Sequence, residues 1–211
     1  VTAVNDAPAG TDKTITITED SSHTFAASDF GFTDADSNSL SAVILASLPT
    51  AGSLTLDGTA VSADQSIAAA DLTTLLFTPA SDANGNAYAS FTFQVQDDGG
   101  TENSGVDTDQ SANTITFDVA AVDDPATITG DTSGSGAEDV TITGTLSFTD
   151  AADGDSTPNF TITAAAANGT ASINATTGAW TYVPNADFNG SDSFTVEVTD
   201  GDGNNETQTI S

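Results

Sequence analysis

Apolar and polar residues alternate almost one for one along most of this chain, and the alternation comes in short runs. A period of two places every second side chain on one face of an extended strand. On that basis the first half predicts strands at Lys13–Thr18, His23–Phe25, Leu40–Leu45, Ser53–Leu56, Leu75–Thr78, Phe91–Gln96 and Thr114–Val119. The second half predicts them at Ala126–Thr129, Val140–Phe148, Asn159–Ala164, Thr170–Asn174, Ala179–Val183, Ser193–Thr199 and Glu206–Ile210. Turn-forming pairs separate the runs, among them Asp57-Gly58, Asn84-Gly85, Asp98-Gly99, Asn168-Gly169, Thr177-Gly178 and Asn189-Gly190. Only Ser66–Leu75 departs from the pattern; a helical turn capped by Asp71 is the expectation there. Seven short strands per half is the count of an immunoglobulin-like β-sandwich. The fold class expected is therefore all-β: an immunoglobulin-like Greek-key β-sandwich in each half.

The two halves also match each other in order and chemistry. Val4-Asn5-Asp6-Ala7-Pro8 corresponds to Val122-Asp123-Asp124-Pro125, and Glu19-Asp20 to Glu138-Asp139. Leu76-Phe77-Thr78-Pro79 corresponds to Trp180-Thr181-Tyr182-Val183-Pro184. Ser90 to Asp97 corresponds to Ser193 to Asp200. Such self-similarity at a fixed order marks tandem modules. Residues 1–122 form one, with an N-terminal linker, and residues 123–211 the other, its C-terminal strand expected to be truncated at Ser211. The chain begins mid-pattern and is expected to be a fragment of a longer protein.

Charge changes the picture next. The chain carries 31 acids against one lysine and one histidine, a net charge of −30. The acids gather in knots at the predicted turns, leaving Thr/Val/Ile/Phe-rich stretches between. Two carboxylates ~4 Å apart repel by a few kcal/mol at an effective dielectric of ~20. Lys13 and His23 cannot offset so many. Ca²⁺ can, since it takes six to eight oxygen ligands. The competing reading is a solvated, solubilising acidic surface, which explains the total charge but not the clustering.

The chain resembles a known family at several of these places. The linker V-N-D-A-P, the downstream T-E-D, F-T-D-A-D at Phe32–Asp36 and F-N-G-S-D-S-F-T-V-E-V-T-D-G-D-G from Phe188 to Gly203 resemble cadherin-like repeats, including VCBS repeats, of giant bacterial RTX-type surface adhesins. G-S-L-T-L-D-G in the first half is similar to the related proteoglycan-type cadherin-like repeat. The resemblance implies extracellular β-sandwiches chained end to end, with Ca²⁺ at the junctions.

Topology says which acids should meet. Strand direction alternates in a Greek-key sandwich, so the first turn lies at the C-terminal pole, and the B–C and F–G turns at the N-terminal pole. Glu19 then falls at the bottom of module one, Asp123 and Asp124 in the linker, and Asp150, Asp153, Asp155, Asp200 and Asp202 at the top of module two. These eight are expected to form one metal-binding junction, within reach of Asp82 or Asn84. Asn5, Asp6, Asp34, Asp36, Asp97 and Asp98 form a half-site at the N-terminal end, and Glu138 with Asp187 one at the C-terminal end. Asp107 and Asp109 lie in a polar hairpin and are left out of the site. His23 is expected to be a local charge partner of the Glu19-Asp20 knot or an exposed residue, and Trp180, Tyr182, Phe188 and Phe194 to be core of module two. A sugar platform on Trp180 is the minor alternative.

Composition excludes several functions. Cys and Met are absent, so there is no thiol chemistry and no disulfide framework. A polyanion has no Lys/Arg set with which to neutralise phosphates, so nucleic acid is not an expected partner. No apolar run approaches the ~20 residues of a membrane span, so direct membrane insertion is not expected. Paired carboxylates can run glycoside hydrolysis, but these sit at turns, and no enzyme activity is expected. The function expected is that of calcium-rigidified extender modules of a large secreted bacterial surface adhesin, supporting adhesion and biofilm formation. The expected partners are neighbouring repeats of the same polypeptide, and the expected state is a monomer. The alternative is a glycan- or protein-binding module of the same class, using the insertion Thr101–Ala112.

Overall fold

The structure, a computed structural model, describes residues 4–150, 157–199 and 204–211. The chain divides into two compact units, Val1–Val122 and Asp123–Ser211. In unit 1 the strands are β1 (Lys13–Thr18), β2 (His23–Thr24), β3 (Leu40–Leu45), β4 (Ser53–Leu56), β5 (Thr59–Ala60), β6 (Ser66–Ala68), β7 (Leu75–Thr78), β8 (Gly85–Asp97) and β9 (Asn113–Ala120). They make two sheets, ordered β1-β9-β8-β3-β6 and β2-β7-β4-β5. All pairings are antiparallel except β1 with β9, which run parallel from Lys13↔Ile115 to Thr18↔Ala120. In unit 2 the strands are β10 (Thr127–Gly130), β11 (Ile142–Thr149), β12 (Asn159–Ala164), β13 (Gly169–Ile173), β14 (Ala179–Pro184), β15 (Phe194–Thr199) and β16 (Asn205–Ile210). Their sheets are β10-β11-β14-β13 and β12-β15-β16. Each unit is thus the two-sheet sandwich expected from the alternation.

Each sandwich closes over its own core. In β8 and β9 every second side chain is buried: Phe91, Phe93 and Val95 on one, Ile115, Phe117 and Val119 on the other. Phe117 stacks on Phe77 from the opposite sheet, with ring centroids 3.8 Å apart. Unit 2 uses a smaller set, Leu146, Phe160, Trp180, Phe194, Val196, Val198 and Ile210. Trp180 meets Phe194 edge-on at 5.7 Å, and its indole N–H donates to the carbonyl of Asp131 at 2.9 Å. At 2% exposure Trp180 is core, and this removes the sugar platform.

Three expectations change. Ser66–Leu75 is not one helical turn: it opens as strand β6, and a 3₁₀ helix follows at Ala69–Thr74. The residue at its cap position is Ala68, and Asp71 lies in the first turn without capping it. Strand β8 begins at Gly85 rather than near Phe91, because a bulge between Gly85 and Ala89 lets its polar first half stay in the ladder.

Candidate metal-binding poles

At one pole of unit 1 the N-terminal segment, the β2–β3 connection and the end of β8 are tied together by hydrogen bonds. The Asn5 side-chain N–H donates to both oxygens of Asp97, at 3.0 and 3.1 Å, and to the carbonyl of Val106 at 2.8 Å. The Asp6 amide donates to Asp36 Oδ2 at 2.7 Å. Asn38 bridges the set: its amide donates to Asp34 Oδ1 at 2.8 Å, and its side chain donates to Asn5 Oδ1. The Ser39 amide donates to Asp98 Oδ1 and the Gly99 amide to Asp97 Oδ1, each at 2.8 Å. All six residues of the expected N-terminal half-site are therefore gathered here. Asp97 is 3% exposed. The Oδ2 atom of Asp34 is buried and has no hydrogen-bond partner among the described residues.

At Gly99 a side chain fits only if Asn5 and Asn38 move. A Cβ on Gly99 would run into Asn5 Oδ1 and Asn38 Nδ2. The insertion after β8 is tied down at Val106, while Glu102, Asn103 and Ser104 are exposed. It folds back on the N-terminal segment, with the Val106 amide donating to the Asn5 carbonyl at 2.9 Å.

At the opposite end of unit 1, Glu19 follows β1 and is 3% exposed. Its Oε1 accepts the Val122 amide at 2.6 Å, and its Oε2 accepts the Asn84 side-chain N–H at 3.0 Å. In unit 2, Asp150 ends β11 at 4% exposure, and its Oδ2 has no hydrogen-bond partner among the described residues. Asp123 is exposed and Asp124 half-buried. Asp153, Asp155, Asp200 and Asp202 lie outside the described residues. At the far end of unit 2 Glu138 is exposed, and the Asp187 amide donates to Asp139 Oδ1 at 3.1 Å. Among the described residues no three acids are arranged to hold a metal ion.

Three carboxylates prove to be structural. Asp29 takes both basic side chains of the chain: Lys13 Nζ donates to it at 2.7 Å and His23 Nε2 lies 3.1 Å away. His23 therefore partners Asp29 rather than the Glu19-Asp20 knot, and its ring meets Phe25 edge-on at 4.9 Å. Burial raises the Asp29 pKa, but the hydrogen bonds from Lys13, the Ala26 amide and His23, with the Lys13 charge, outweigh it and hold the carboxyl below its ordinary value.

Asp109, expected to be a plain hairpin residue, is instead 4% exposed. It accepts from the Gly10 amide, the Ser111 amide and hydroxyl, and the Asn113 side chain. Burial again pushes its pKa up, and these donors pull it below the ordinary value. No sequence signal marks this role, because the Gly10 donor comes from 99 residues away. Asp192 in unit 2 is similar: it binds the amides of Ala167, Asn168 and Ser193 and the Tyr182 hydroxyl. Desolvation, that hydrogen bond and the Asp192 charge push the Tyr182 hydroxyl pKa up.

One family model matches both sandwiches, that of the bacterial Ig domain, over residues 5–109 and again over 120–211. The chain belongs to the bacterial Ig domain family. Both Ig domains share their fold with solved cadherin repeats. The EC22-24 fragment of mouse cadherin-23 is similar at a TM-score of 0.54 and 14% identity, over 98% of this chain and 65% of that one. The protocadherin γB7 EC3-6 structure is similar at 0.49 and 13%, over 97% and 50%. The D00-D0 domain of intimin is similar at 0.34 and 16%, over 94% and 96%. At these identities only the cadherin-23 likeness supports an argument, and that argument concerns the fold alone. This chain spans less than two thirds of the cadherin-23 fragment. Among curated proteins none matches. No helix among the described residues is long and apolar enough to cross a membrane.

Proposed function

We propose that these two Ig domains are extender modules of a large secreted bacterial surface adhesin of the VCBS/RTX kind, stiffened at their joint by Ca²⁺ and serving adhesion and biofilm formation. The observation that carries the reading is the N-terminal pole of unit 1. Three segments distant in sequence bring Asn5, Asp6, Asp34, Asp36, Asp97 and Asp98 together, and one buried oxygen there, on Asp34, lacks a hydrogen-bond partner among the described residues. The donors are carboxylate and amide oxygens, the set a hard cation prefers. Both basic side chains are spent on Asp29, so they do not serve this pole.

The corresponding residues for the joint are Glu19, Asp123, Asp124 and Asp150, with Asp153, Asp155, Asp200 and Asp202. A cation held there would supply the positive charge that lets these acids approach. Without it they repel, and the linker bends. Sites of ~10⁻⁴–10⁻³ M affinity are ample for extracellular calcium. Small-angle scattering tests the reading: the maximum dimension should be longer in calcium than in EDTA. Identical profiles in the two conditions would remove the stiffening.

A further inference from the structure

Five Asn-x-Ser/Thr triplets occur in this chain, at Asn159, Asn168, Asn174, Asn189 and Asn205, and none has proline at its middle position. All five fall in unit 2, which has seven asparagines. Unit 1 has six asparagines and is nearly as rich in Ser and Thr, yet none of its asparagines heads a triplet. A Ser/Thr-rich composition alone does not sort the triplets this way. One matched position of the repeat shows the same sorting. Asp82-Ala83-Asn84-Gly85 corresponds to Asp187-Phe188-Asn189-Gly190, with φ of +55° and +59° at the aspartates and +140° and +142° at the glycines. The next residue is Asn86 in unit 1 and Ser191 in unit 2, so only Asn189 has a hydroxyl two residues on.

The two sets of asparagines also do different work. In unit 1 the side-chain nitrogens of Asn5, Asn38, Asn84 and Asn113 donate to Asp97, Asn5, Glu19 and Asp109. In unit 2 the side-chain nitrogens of the five triplet asparagines donate to no described residue. Asn174 and Asn205 bond through their oxygens instead. Asn174 Oδ1 accepts the amides of Thr176 and Thr177, each at 3.0 Å, and Asn205 Oδ1 accepts the Thr199 hydroxyl at 2.6 Å.

Asn159, Asn174, Asn189 and Asn205 are exposed, and so are their hydroxyl partners Thr161, Thr176, Ser191 and Thr207. Asn159 and Asn205 open strands β12 and β16, where residues two apart share a face. Each therefore shows its amide and its hydroxyl partner on one outward face. Both pair with Thr199, so they lie in one row across the sheet. Asn168 differs. It is half-buried, its amide donates to Asp192 Oδ2 at 2.7 Å, and its carbonyl accepts the Asn185 amide at 2.9 Å and the Tyr182 hydroxyl at 3.2 Å.

We propose that unit 2 is an N-glycosylated module, with Asn159, Asn174, Asn189 and Asn205 as the acceptors. The triplet is the acceptor signal for asparagine-linked sugar. The co-substrate is a sugar activated by a diphosphate at its anomeric carbon, carried on a nucleotide or on a lipid. The Nδ2 atom bonds to the anomeric carbon, and the bond from that carbon to the diphosphate oxygen breaks. The diphosphate leaves with the electron pair, and the carboxamide releases one proton. A bulky, hydrated sugar on the Asn159–Asn205 row covers one end of the outer face of the β12-β15-β16 sheet.

The test is peptide mass mapping of the full chain recovered from the cell that makes it, beside the same chain made in a host without asparagine glycosyltransferases. Whole sugar units should appear on the four acceptors in the first sample only, with Asn168 and every asparagine of unit 1 bare. A single hexose at each site identifies the nucleotide-carried donor, and one oligosaccharide at each site the lipid-carried donor. In the producing cell Thr176→Ala should remove the sugar from Asn174 alone, and Thr176→Ser, which keeps a hydroxyl, should retain it. Four bare acceptors in the first sample would overturn the proposal. So would sugar spread equally over the asparagines of unit 1, or sugar on Asn174 that survives Thr176→Ala.

Discussion

The carboxylate of Glu19 accepts the main-chain N–H of Val122 at 2.6 Å, across 103 residues of sequence. One buried acid thus fastens the end of β1 to the last residue of unit 1, and its other oxygen holds Asn84. Glu19→Ala should destabilise unit 1 by about 1–3 kcal/mol, the cost of leaving hydrogen-bond partners unmet. Glu19→Gln, which keeps an acceptor for Val122, should lie between Ala and wild type. Urea midpoints measure this; an Ala variant as stable as wild type would show that the tie is idle.

Acid should unfold unit 1 through Asp29 and Asp109. Both are held below their ordinary value of 3.8 in the folded state. Between the folded and ordinary values the unfolded chain binds more protons, so stability rises with pH there. Their contribution is complete above about 4 and is lost as pH falls through the lowered folded values. Thermal melts between pH 2 and 6 should show this loss, and Asp109→Asn should make it shallower. A variant with an unchanged slope would exclude Asp109 as a contributor.

At neutral pH Asp109→Ala should cost about 2–3 kcal/mol, because four donors lose a charged acceptor. Asp71→Asn, at an exposed 3₁₀ position, should be within about 0.5 kcal/mol of wild type. Denaturant curves for the pair separate an acid that builds the fold from one that only adds charge.

Gly99→Ala should disturb the N-terminal pole selectively. The added Cβ would run into Asn5 and Asn38, which organise the acids, while the aromatic core lies elsewhere. Calcium affinity at this pole should fall with little change in far-UV circular dichroism. Unaltered affinity would mean that the Asn5–Asn38 arrangement is irrelevant to the metal.

How far the sequence reached depends on the kind of interaction. Strands with a strict alternation, such as Lys13–Thr18 and Asn159–Ala164, have the bounds that the pattern predicts. Their burial is decided two residues at a time, so it is written locally. Ser66–Ala68 was not legible as a strand, because it is three residues long, its alanine carries little β preference and it runs into a 3₁₀ helix. The meeting of the N-terminal segment, the β2–β3 connection and the end of β8 at one pole follows from topology and was legible. Asp109 was not: its burial is set by donors on Gly10 and Asn113, and a polar hairpin sequence looks the same whether buried or exposed. Nor was the choice of Asp29 as the partner of both Lys13 and His23, since a chain rich in acids offers many candidates of equal charge.

Calorimetric titration of calcium into wild type, Asp123→Asn and Asp71→Asn tests the shared calcium joint most directly. Each variant removes one exposed acid from a chain that carries 31 of them. The account predicts that Asp71→Asn binds calcium as wild type does, while Asp123→Asn loses affinity roughly tenfold, the equivalent of about 1.4 kcal/mol. Equal affinities in the two variants would contradict it and leave only a solvated acidic surface.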